Sequence, residues 1–595
     1  MNRLNELMKS KDKLRREAEK PFQTREMQGN THLRYPQFSE CIRHFLEGLE
    51  VPVPAEKQLE ALFKKFRNNN STGITVEDYE ALIFRLLCFM VASGEVKNPG
   101  KSAGGEERDK KWREEFLKKN QRRFDEVYEW GKKLGEGSFG CVYLVQHRAE
   151  MAGARRPRVS KVISKSKADQ QGTPHERVRE EFAVLKKLDH PHVVRIFEDF
   201  EDDKNFYLVM EQCKGGDLQD AVLHPSTRDP VEWEWWVSKV IQQTLGAVSY
   251  CHSKGVIHKD LKPENVMMTS EKKSRIQDVH AVVVDYGLAE MFRSEFDRSK
   301  EVAGTPPFMA PEVWAGNFSK SCDVWSVGVM LFFMLSGQLP FMAQRLQDFP
   351  QAVRRDPRWA DIGGASSQAQ MMCFRMLHRS EAERPTAQEL LKDKWFDRFS
   401  DFNGTAPKVL PSVQFKGLMQ VNERSDFEKF MARLVATQVD AGQQSKINEA
   451  FRALDTDKDG TLSCVELKRG LVLLGASSAE AEKVVRELDV GKTGVISYTE
   501  FLAGVMDLRR KSPHERDELL WLAWQQFQPN SRGLVQKSAI QEQLAARGLT
   551  VADLPQSFLS QLRQGRADGF MSFDEFKKLL LVDESFSLLK SFCVR

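Results

Sequence analysis

The chain has 595 residues, 41% hydrophobic and 29% charged, with a formal net charge of +4. It is too long for one core: at about 150 residues per domain it divides into roughly four units, and so small a charge weighs against a general nucleic-acid binder. Nine cysteines without a CxxC pair read as reduced thiols of a cytoplasmic protein, which excludes a disulfide scaffold or a cysteine zinc site.

Residues 1–30 are a polar, charged arm. They have no apolar signal region, and Asn2 stands where N-myristoylation requires glycine. Residues 31–95 read as a helical lobe around Arg67-Asn-Asn-Asn-Ser-Thr-Gly73-Ile74-Thr-Val-Glu-Asp78, with Phe63 and Phe66 before the loop and Tyr79 after it. The pattern resembles an EF-hand that has lost its ligands. With Ile74 as the central aliphatic, Arg67 falls at the first ligand position and would repel Ca²⁺, so this lobe is read as structural or as a docking element for a partner. The apolar runs 81–92 and 327–335 are too short or too interrupted for a membrane span of about 20 residues. A charged linker occupies 96–123.

From 124 to 399 the motifs come in a fixed order. Gly135-Glu-Gly137-Ser-Phe-Gly140-Cys-Val142 precedes Lys161, which lies in the alternating, strand-like run Arg158-Val-Ser-Lys161-Val-Ile163. Glu181 follows on a charged helix, with Glu180 as its competitor; then come His258-Lys259-Asp260-Leu-Lys262-Pro-Glu264-Asn265 and Asp285-Tyr286-Gly287, the last after the apolar run 281–284. The series resembles a protein kinase catalytic domain. The resemblance implies an ATP site formed by Leu134, Gly135, Gly137, Gly140, Val142, Lys161, Met210, Glu211, Cys213 and Asp217. It further implies Lys161 on the α and β phosphates and paired with Glu181, Asp260 orienting the substrate hydroxyl, Lys262 neutralising the γ phosphate, and Asn265 and Asp285 holding Mg²⁺. Asp217 and Glu264 imply a preference for a basic residue upstream of the acceptor. Glu312 is expected to pair with Arg384, and Asp323 to anchor the helical lobe. Lys259 replaces the commoner arginine and offers no bidentate fork, so activation by loop phosphorylation is less expected, although Ser294, Ser299 and Thr305 remain available. Tyr286 keeps an aromatic packing group.

A junction, 400–440, carries Phe427, Phe430, Met431, Leu434 and Val435 on one helical face. Two helical lobes follow, 441–508 and 509–595, with loops centred on Gly460, Gly494, Gly533 and Gly569. Asp455-Thr-Asp457-Lys-Asp459-Gly460-Thr461-Leu-Ser463-Cys-Val-Glu466 has the ligand spacing of a calcium-binding EF-hand, with Thr461 contributing its carbonyl and Glu466 both carboxylate oxygens. The second loop keeps Asp489 and Glu500 but has Gly491 and Thr493 between them, a weaker site. The third loop, with Arg532 and Ala539, is structural only, and the fourth has Gln564 and Arg566 in place of acidic ligands.

Residues 124–595 together resemble the calcium-dependent protein kinases of plants and apicomplexan parasites, with an EF-like extension at the amino terminus. The implied architecture is multidomain, an α+β bilobal kinase fold followed by all-α EF-hand domains. The implied protein is a monomeric, calcium-activated serine/threonine kinase that acts on protein substrates, senses Ca²⁺ in cis and uses ATP and Mg²⁺. It does not bind nucleic acid, and any membrane association is peripheral and supplied by a partner. A calcium-responsive pseudokinase scaffold and a constitutive kinase with structural EF-hands stand as alternatives.

Overall fold

The computed structural model describes residues 19–20, 33–47, 59, 63, 74–76, 79, 83, 120, 122–136, 140–148, 157–223, 229–269, 279–287, 289–291, 299, 302–398, 412–424, 426–489, 492–508, 511–530, 532–546 and 569–577. It separates into two units, Met1–Glu107 and Arg108–Arg595.

In the first unit, α1 (Tyr35–Glu47) buries Phe38 and Ile42, and the Phe38 ring packs on those of Phe63 and Tyr79; Leu59 and Ile83 are buried as well. Leu33 and Ile74 exchange backbone hydrogen bonds of 2.8 and 2.9 Å. The Arg34 N–H donates to Gln37 Oε1, the same three-residue spacing that Ser463 and Glu466 use in the first calcium loop. Ile74 thus has a backbone partner at Leu33, just before α1.

The second unit opens with a five-stranded antiparallel sheet, β1 (Tyr128–Glu136), β2 (Gly140–His147), β3 (Arg158–Ser164), β4 (Ile196–Glu201) and β5 (Asn205–Met210), in the order β1-β2-β3-β5-β4. Helix α2 (His175–Lys187) buries Val178, Phe182 and Leu185 at i, i+4 and i+7. The larger lobe is built on α3 (Pro230–Ser253) and α4 (Ser321–Ser336). Asp229 caps α3, accepting from the N–H groups of Val231 and Glu232, with Pro230 in the first turn where its missing N–H costs nothing. Helix α4 stops at Gly337, whose φ of 73° gives the left-handed exit. β6 (Gly216–Asp217) precedes α3, and between the two helices lie β7 (Val256–Ile257), β8 (Val266–Met268), β9 (Ala281–Val283) and β10 (Glu290–Met291). They form the sheet β6-β8-β9 and the pair β7-β10. Glu312 and Arg384 make a two-pronged ion pair at 2.5 and 3.2 Å.

The junction contains α5 (Ser412–Met419) and α6 (Asp426–Ala436), followed by α7 (Ser445–Leu454), α8 (Cys464–Leu473), α9 (Ser478–Leu488), α10 (Tyr498–Val505), α11 (Pro513–Gln525) and α12 (Lys537–Ala546). The loops pair two by two, β11 (Leu462–Ser463) with β12 (Val495–Ile496) and β13 (Val535–Gln536) with β14 (Phe570–Met571). The apolar face of α6 (Phe430, Met431, Leu434 and Val435) is buried in the same core as α10 and α11, so the junction helix docks on the EF-hand lobes. Arg424 locks it there. Its buried guanidinium donates to the carbonyls of Gly417, Ala503, Gly504 and Met506 at 2.9–3.1 Å, satisfying the orphan acceptors at the end of α10. Among the described residues, no helix is long and apolar enough to cross a membrane.

Candidate functional site

Lys161 leaves the middle of β3, paired with Val142 on one side and Leu208 on the other, and points beneath the sheet. Its ammonium lies 3.2 Å from Glu181 and 2.7 Å from Asp285. Burial penalises the charge, but the two carboxylates outweigh it and raise the Lys161 pKa; the lysine in turn depresses that of Asp285. Glu180 is exposed, so Glu181 is the residue that α2 presents. Asp285 has a φ of 60°, a conformation that costs a non-glycine residue about 1–2 kcal/mol. The Val284 N–H to Asn265 and the Val284 carbonyl to His258 hold that turn in place.

Asp260, Lys262, Asn265 and Thr305 converge on one knot. The Thr305 hydroxyl donates to Asp260 Oδ1 at 2.6 Å, and Lys262 Nζ donates to Asp260 Oδ2 and to Thr305 Oγ1, both at 2.8 Å. Asn265 Nδ2 donates to the Asp260 carbonyl at 2.8 Å. Thr305 stood in the sequence only as a phosphorylatable residue of the activation loop; its hydroxyl is here a fixed donor to the proposed base. Behind the knot, the buried Asp323 accepts from His252 Nε2 at 2.8 Å and from the backbone N–H groups of His258 and Lys259. Tyr286 is buried, its ring 4.6 Å from that of His258 and its hydroxyl 3.5 Å from Cys251 Sγ.

The remaining nucleotide-site candidates line the strands and the hinge. Leu134 is 48% exposed on β1, and Gly135 faces Val142 across the hairpin; Gly137 lies outside the described residues. At Gly140 a Cβ would collide with the Val162 carbonyl, so the sheet itself requires this glycine. Met210 ends β5, followed by the buried Glu211 and the half-buried Cys213. Asp217 accepts from the Asp220 N–H at 2.8 Å, and Glu264 is exposed. Burial and the nearby Asp440 carboxylate push the Glu211 pKa up to about 7. The Lys161 cation between two carboxylates, with an asparagine amide beside a third, is a donor set that fits a magnesium-bound nucleotide.

In the first loop, one carboxylate oxygen from each of Asp455, Asp457 and Asp459 lies within 4.8 Å of the others. Glu466 receives the N–H groups of Thr456 and Asp457 on one oxygen and the Ser463 hydroxyl on the other. Burial, reinforced by Asp459 and Glu466, lifts the Asp455 pKa to about 7. Carboxylate oxygens crowded in this way fit a hard divalent cation. Thr461 lends its side chain to Asp459 at 2.7 Å. In the second loop Asp489 accepts from Thr493 and Gly494, and Glu500 caps Ser497. The third loop closes on itself, with Asn530 accepting from Arg532 and Leu534. The acidic-ligand replacements of the fourth loop, Gln564 and Arg566, lie outside the described residues.

The first two calcium loops also touch the large lobe and the hinge. The Ser249 hydroxyl donates to the Lys458 carbonyl at 2.8 Å, and Gln388 to the Asp457 carbonyl at 2.9 Å. A Cβ on Gly460 would meet Tyr250. At the start of α10, buried Thr499 donates from its N–H to Asp189 Oδ2 (3.0 Å) and from its hydroxyl to Asp189 Oδ1 (2.9 Å), while accepting from Arg195 at 2.8 Å. The backbone of Arg195 is bonded to Glu211, its N–H to the carboxylate and its carbonyl to the Glu211 N–H. Residues 189, 195 and 499 carried no functional flag in the sequence, because their meaning arises only when distant segments meet.

Comparison with known proteins agrees with this geometry. Residues 128–396 match the protein kinase domain family, and 444–506 match the EF-hand domain pair. The chain is 31% identical to Calcium-dependent protein kinase 10 of Arabidopsis thaliana, over 78% of this chain and 82% of that protein. It is 28% identical to Calcium-dependent protein kinase 5 of Plasmodium falciparum, over 78% of this chain and 80% of the relative. Similarity to Calcium-dependent protein kinase 6 of Plasmodium berghei, 25% identical, runs through 98% of this chain but only 38% of that protein.

Proposed function

The chain belongs to the calcium-dependent protein kinases, and from that premise we propose that it transfers the γ-phosphoryl group of ATP to serine or threonine hydroxyls of proteins when Ca²⁺ occupies its own EF-hand loops. Bound ATP supplies the phosphoryl group and Mg²⁺ its charge neutralisation. Asn265 and Asp285 are the metal-holding side chains, and Lys161, fixed by Glu181, is the phosphate-binding cation. Asp260 orients the acceptor hydroxyl and takes its proton, and Lys262 places positive charge where the transferred group arrives. Glu264, exposed beside this loop, and Asp217 favour a basic residue upstream of the acceptor.

The observation that carries the reading is the knot of Asp260, Lys262, Asn265 and Thr305, assembled in a chain whose first calcium loop packs on α3. Asp455, Asp457, Asp459, Thr461 and Glu466 would hold calcium, with Asp489 and Glu500 a weaker site, and the ion would supply the charge that fixes the loops' shape where they meet Ser249, Tyr250 and Asp189. Phosphorylation of a basic peptide by the full-length protein, with Mg-ATP in buffered calcium and then in EGTA, tests this. Activity only with calcium supports it. Equal activity in both assigns the EF-hands to structure, and none in either favours a scaffold.

A further inference from the structure

Where the first calcium lobe rests on the large lobe, two cations stand without an ion-pair partner. Lys239 belongs to a stripe of α3 that continues at Gln243, Gly246 and Tyr250. Gln243 binds the Val279 carbonyl and the Ala281 N–H, and Gly246 and Tyr250 lie against the His190 ring. Arg452 comes from α7 on the other side. Its carbonyl accepts from Lys458 Nζ at 2.6 Å, and the Lys458 carbonyl accepts from Ser249 of α3 at 2.8 Å. Both cations are half-buried, and among the described residues neither side chain has a hydrogen-bond or ion-pair partner. Glu449 and Asp397, the acids whose charges reach Lys239, are exposed. Burial lowers the Lys239 pKa, and the Arg452 charge lowers it further.

The large lobe brings two histidines to the same seam. His192 donates Nδ1–H to the Ala281 carbonyl at 2.9 Å, and its ring lies 4.8 Å from that of His280, which bonds the Pro191 carbonyl. Burial, and after it the Arg452 charge, holds the His280 pKa down to about 3; burial, His280 and Arg452 hold that of His192 well below its usual value. Both rings are therefore neutral, and both Nε2 atoms are buried acceptors with no hydrogen-bond partner.

Unpaired cations beside unpaired acceptors set a double requirement: negative oxygens for Lys239 and Arg452, and a hydroxyl proton for the imidazoles. Inorganic phosphate at neutral pH meets both, because it keeps a P–OH. Sulfate and the dianion of a phosphate monoester offer acceptor oxygens only. We propose that the seam between α3 and α7 is a binding site for hydrogen phosphate, with Lys239 and Arg452 on its oxygens and its P–OH donating to the His192 and His280 pair. An ion held there spans the large lobe and the helix that leads into the first calcium loop, so it binds the docked arrangement and strengthens it.

Calorimetric titration of the full-length protein with calcium at pH 7 and constant ionic strength tests it, using inorganic phosphate, sulfate and phenyl phosphate. Phosphate should bind about tenfold or more tighter than either comparator, and Lys239→Met or Arg452→Met should each weaken it by about tenfold or more. His192→Phe/His280→Phe should abolish the preference for phosphate over sulfate. Without phosphate, the methionine variants should melt at or above the wild-type temperature, since one of two repelling cations is gone; this shows that lost binding is not lost folding. Sulfate or phenyl phosphate binding as tightly as phosphate, unchanged phosphate affinity in either methionine variant, or no phosphate binding by the wild type overturns the proposal. A methionine variant that melts well below wild type overturns its premise. None of these results bears on the kinase reading.

Discussion

Replacing Thr499 by valine keeps the shape of the residue and deletes one hydroxyl. That hydroxyl donates to Asp189 at 2.9 Å and accepts from Arg195 at 2.8 Å in a site where all three residues are buried. Asp189 and Arg195 are themselves 3.9 Å apart, too far to replace both bonds directly. A hydrogen bond to a charged group is worth about 1.5–3 kcal/mol, so the two together amount to about 3 kcal/mol or more. That is a factor of about 100 in the equilibrium between docked and released EF-hand lobes. Because Arg195 is bonded by both of its backbone groups to Glu211 at the hinge, the effect should reach nucleotide binding. Calcium titration of peptide phosphorylation by the full-length variant should show a raised midpoint and a raised KM for ATP, with Thr499→Ser close to wild type. A Thr499→Val protein with wild-type midpoint and KM would refute the argument that this contact couples the lobes.

Thr305→Val, which removes the donor to Asp260 and the acceptor for Lys262, should lower kcat by about 10- to 100-fold while leaving calcium binding unchanged, measured by peptide kinetics and calorimetry. Glu466→Gln should weaken calcium activation, because the closing carboxylate loses its charge and one strong oxygen; unchanged activation would move the sensor to another loop. The pH dependence has a definite sign. In the calcium-free loop Asp455 holds its proton up to about pH 7, and calcium requires the carboxylate. Apparent calcium affinity should therefore fall as pH drops from 8 to 6, approaching about tenfold per unit below 7 if one proton is displaced. Affinity flat across that range would exclude the crowded Asp455 site as the sensor.

The candidate catalytic and calcium residues could be singled out in the sequence because their signals are contiguous. Asp260, Lys262 and Asn265 fall within six residues of chain, and the first calcium loop within twelve. The choice between Glu180 and Glu181 was also available in the sequence. Val178, Phe182 and Leu185 define the inward stripe of α2, and position 181, three residues after Val178 and four before Leu185, borders it, whereas 180 does not. Other features were closed to local reading. Thr305 meets Asp260 across 45 residues and Thr499 meets Asp189 across 310, and neither pair has a spacing that secondary structure imposes. Leu33 meets Ile74 across 41 residues, a spacing that secondary structure does not impose.

The same contacts suggest why a calcium module can act on catalysis without entering the cleft. Helix α3 is one rigid element with two working ends of a single turn. Ser249 and Tyr250 receive the first calcium loop, and Tyr250 also accepts the Asp189 N–H through its hydroxyl. Two residues on, His252 bonds Asp323, which holds the backbone on both sides of the residue bond leading to Asp260. Loop, helix and the turn at Asp260 are therefore consecutive contacts over one stretch of chain, while α10 reaches the hinge through Thr499 and Arg195. The two attachments share Asp189, which meets both Tyr250 and Thr499, so docking is expected to bias the acceptor side and the nucleotide side of the site together. Coupling of that kind is reciprocal for binding: nucleotide that favours the docked arrangement must raise calcium affinity by the same factor by which calcium raises nucleotide affinity. Calorimetric titration of calcium with and without a non-hydrolysable ATP analogue should show that shift in wild type and lose most of it in Thr499→Val; equal affinities in wild type would mean that the docked contacts carry no information between the sites.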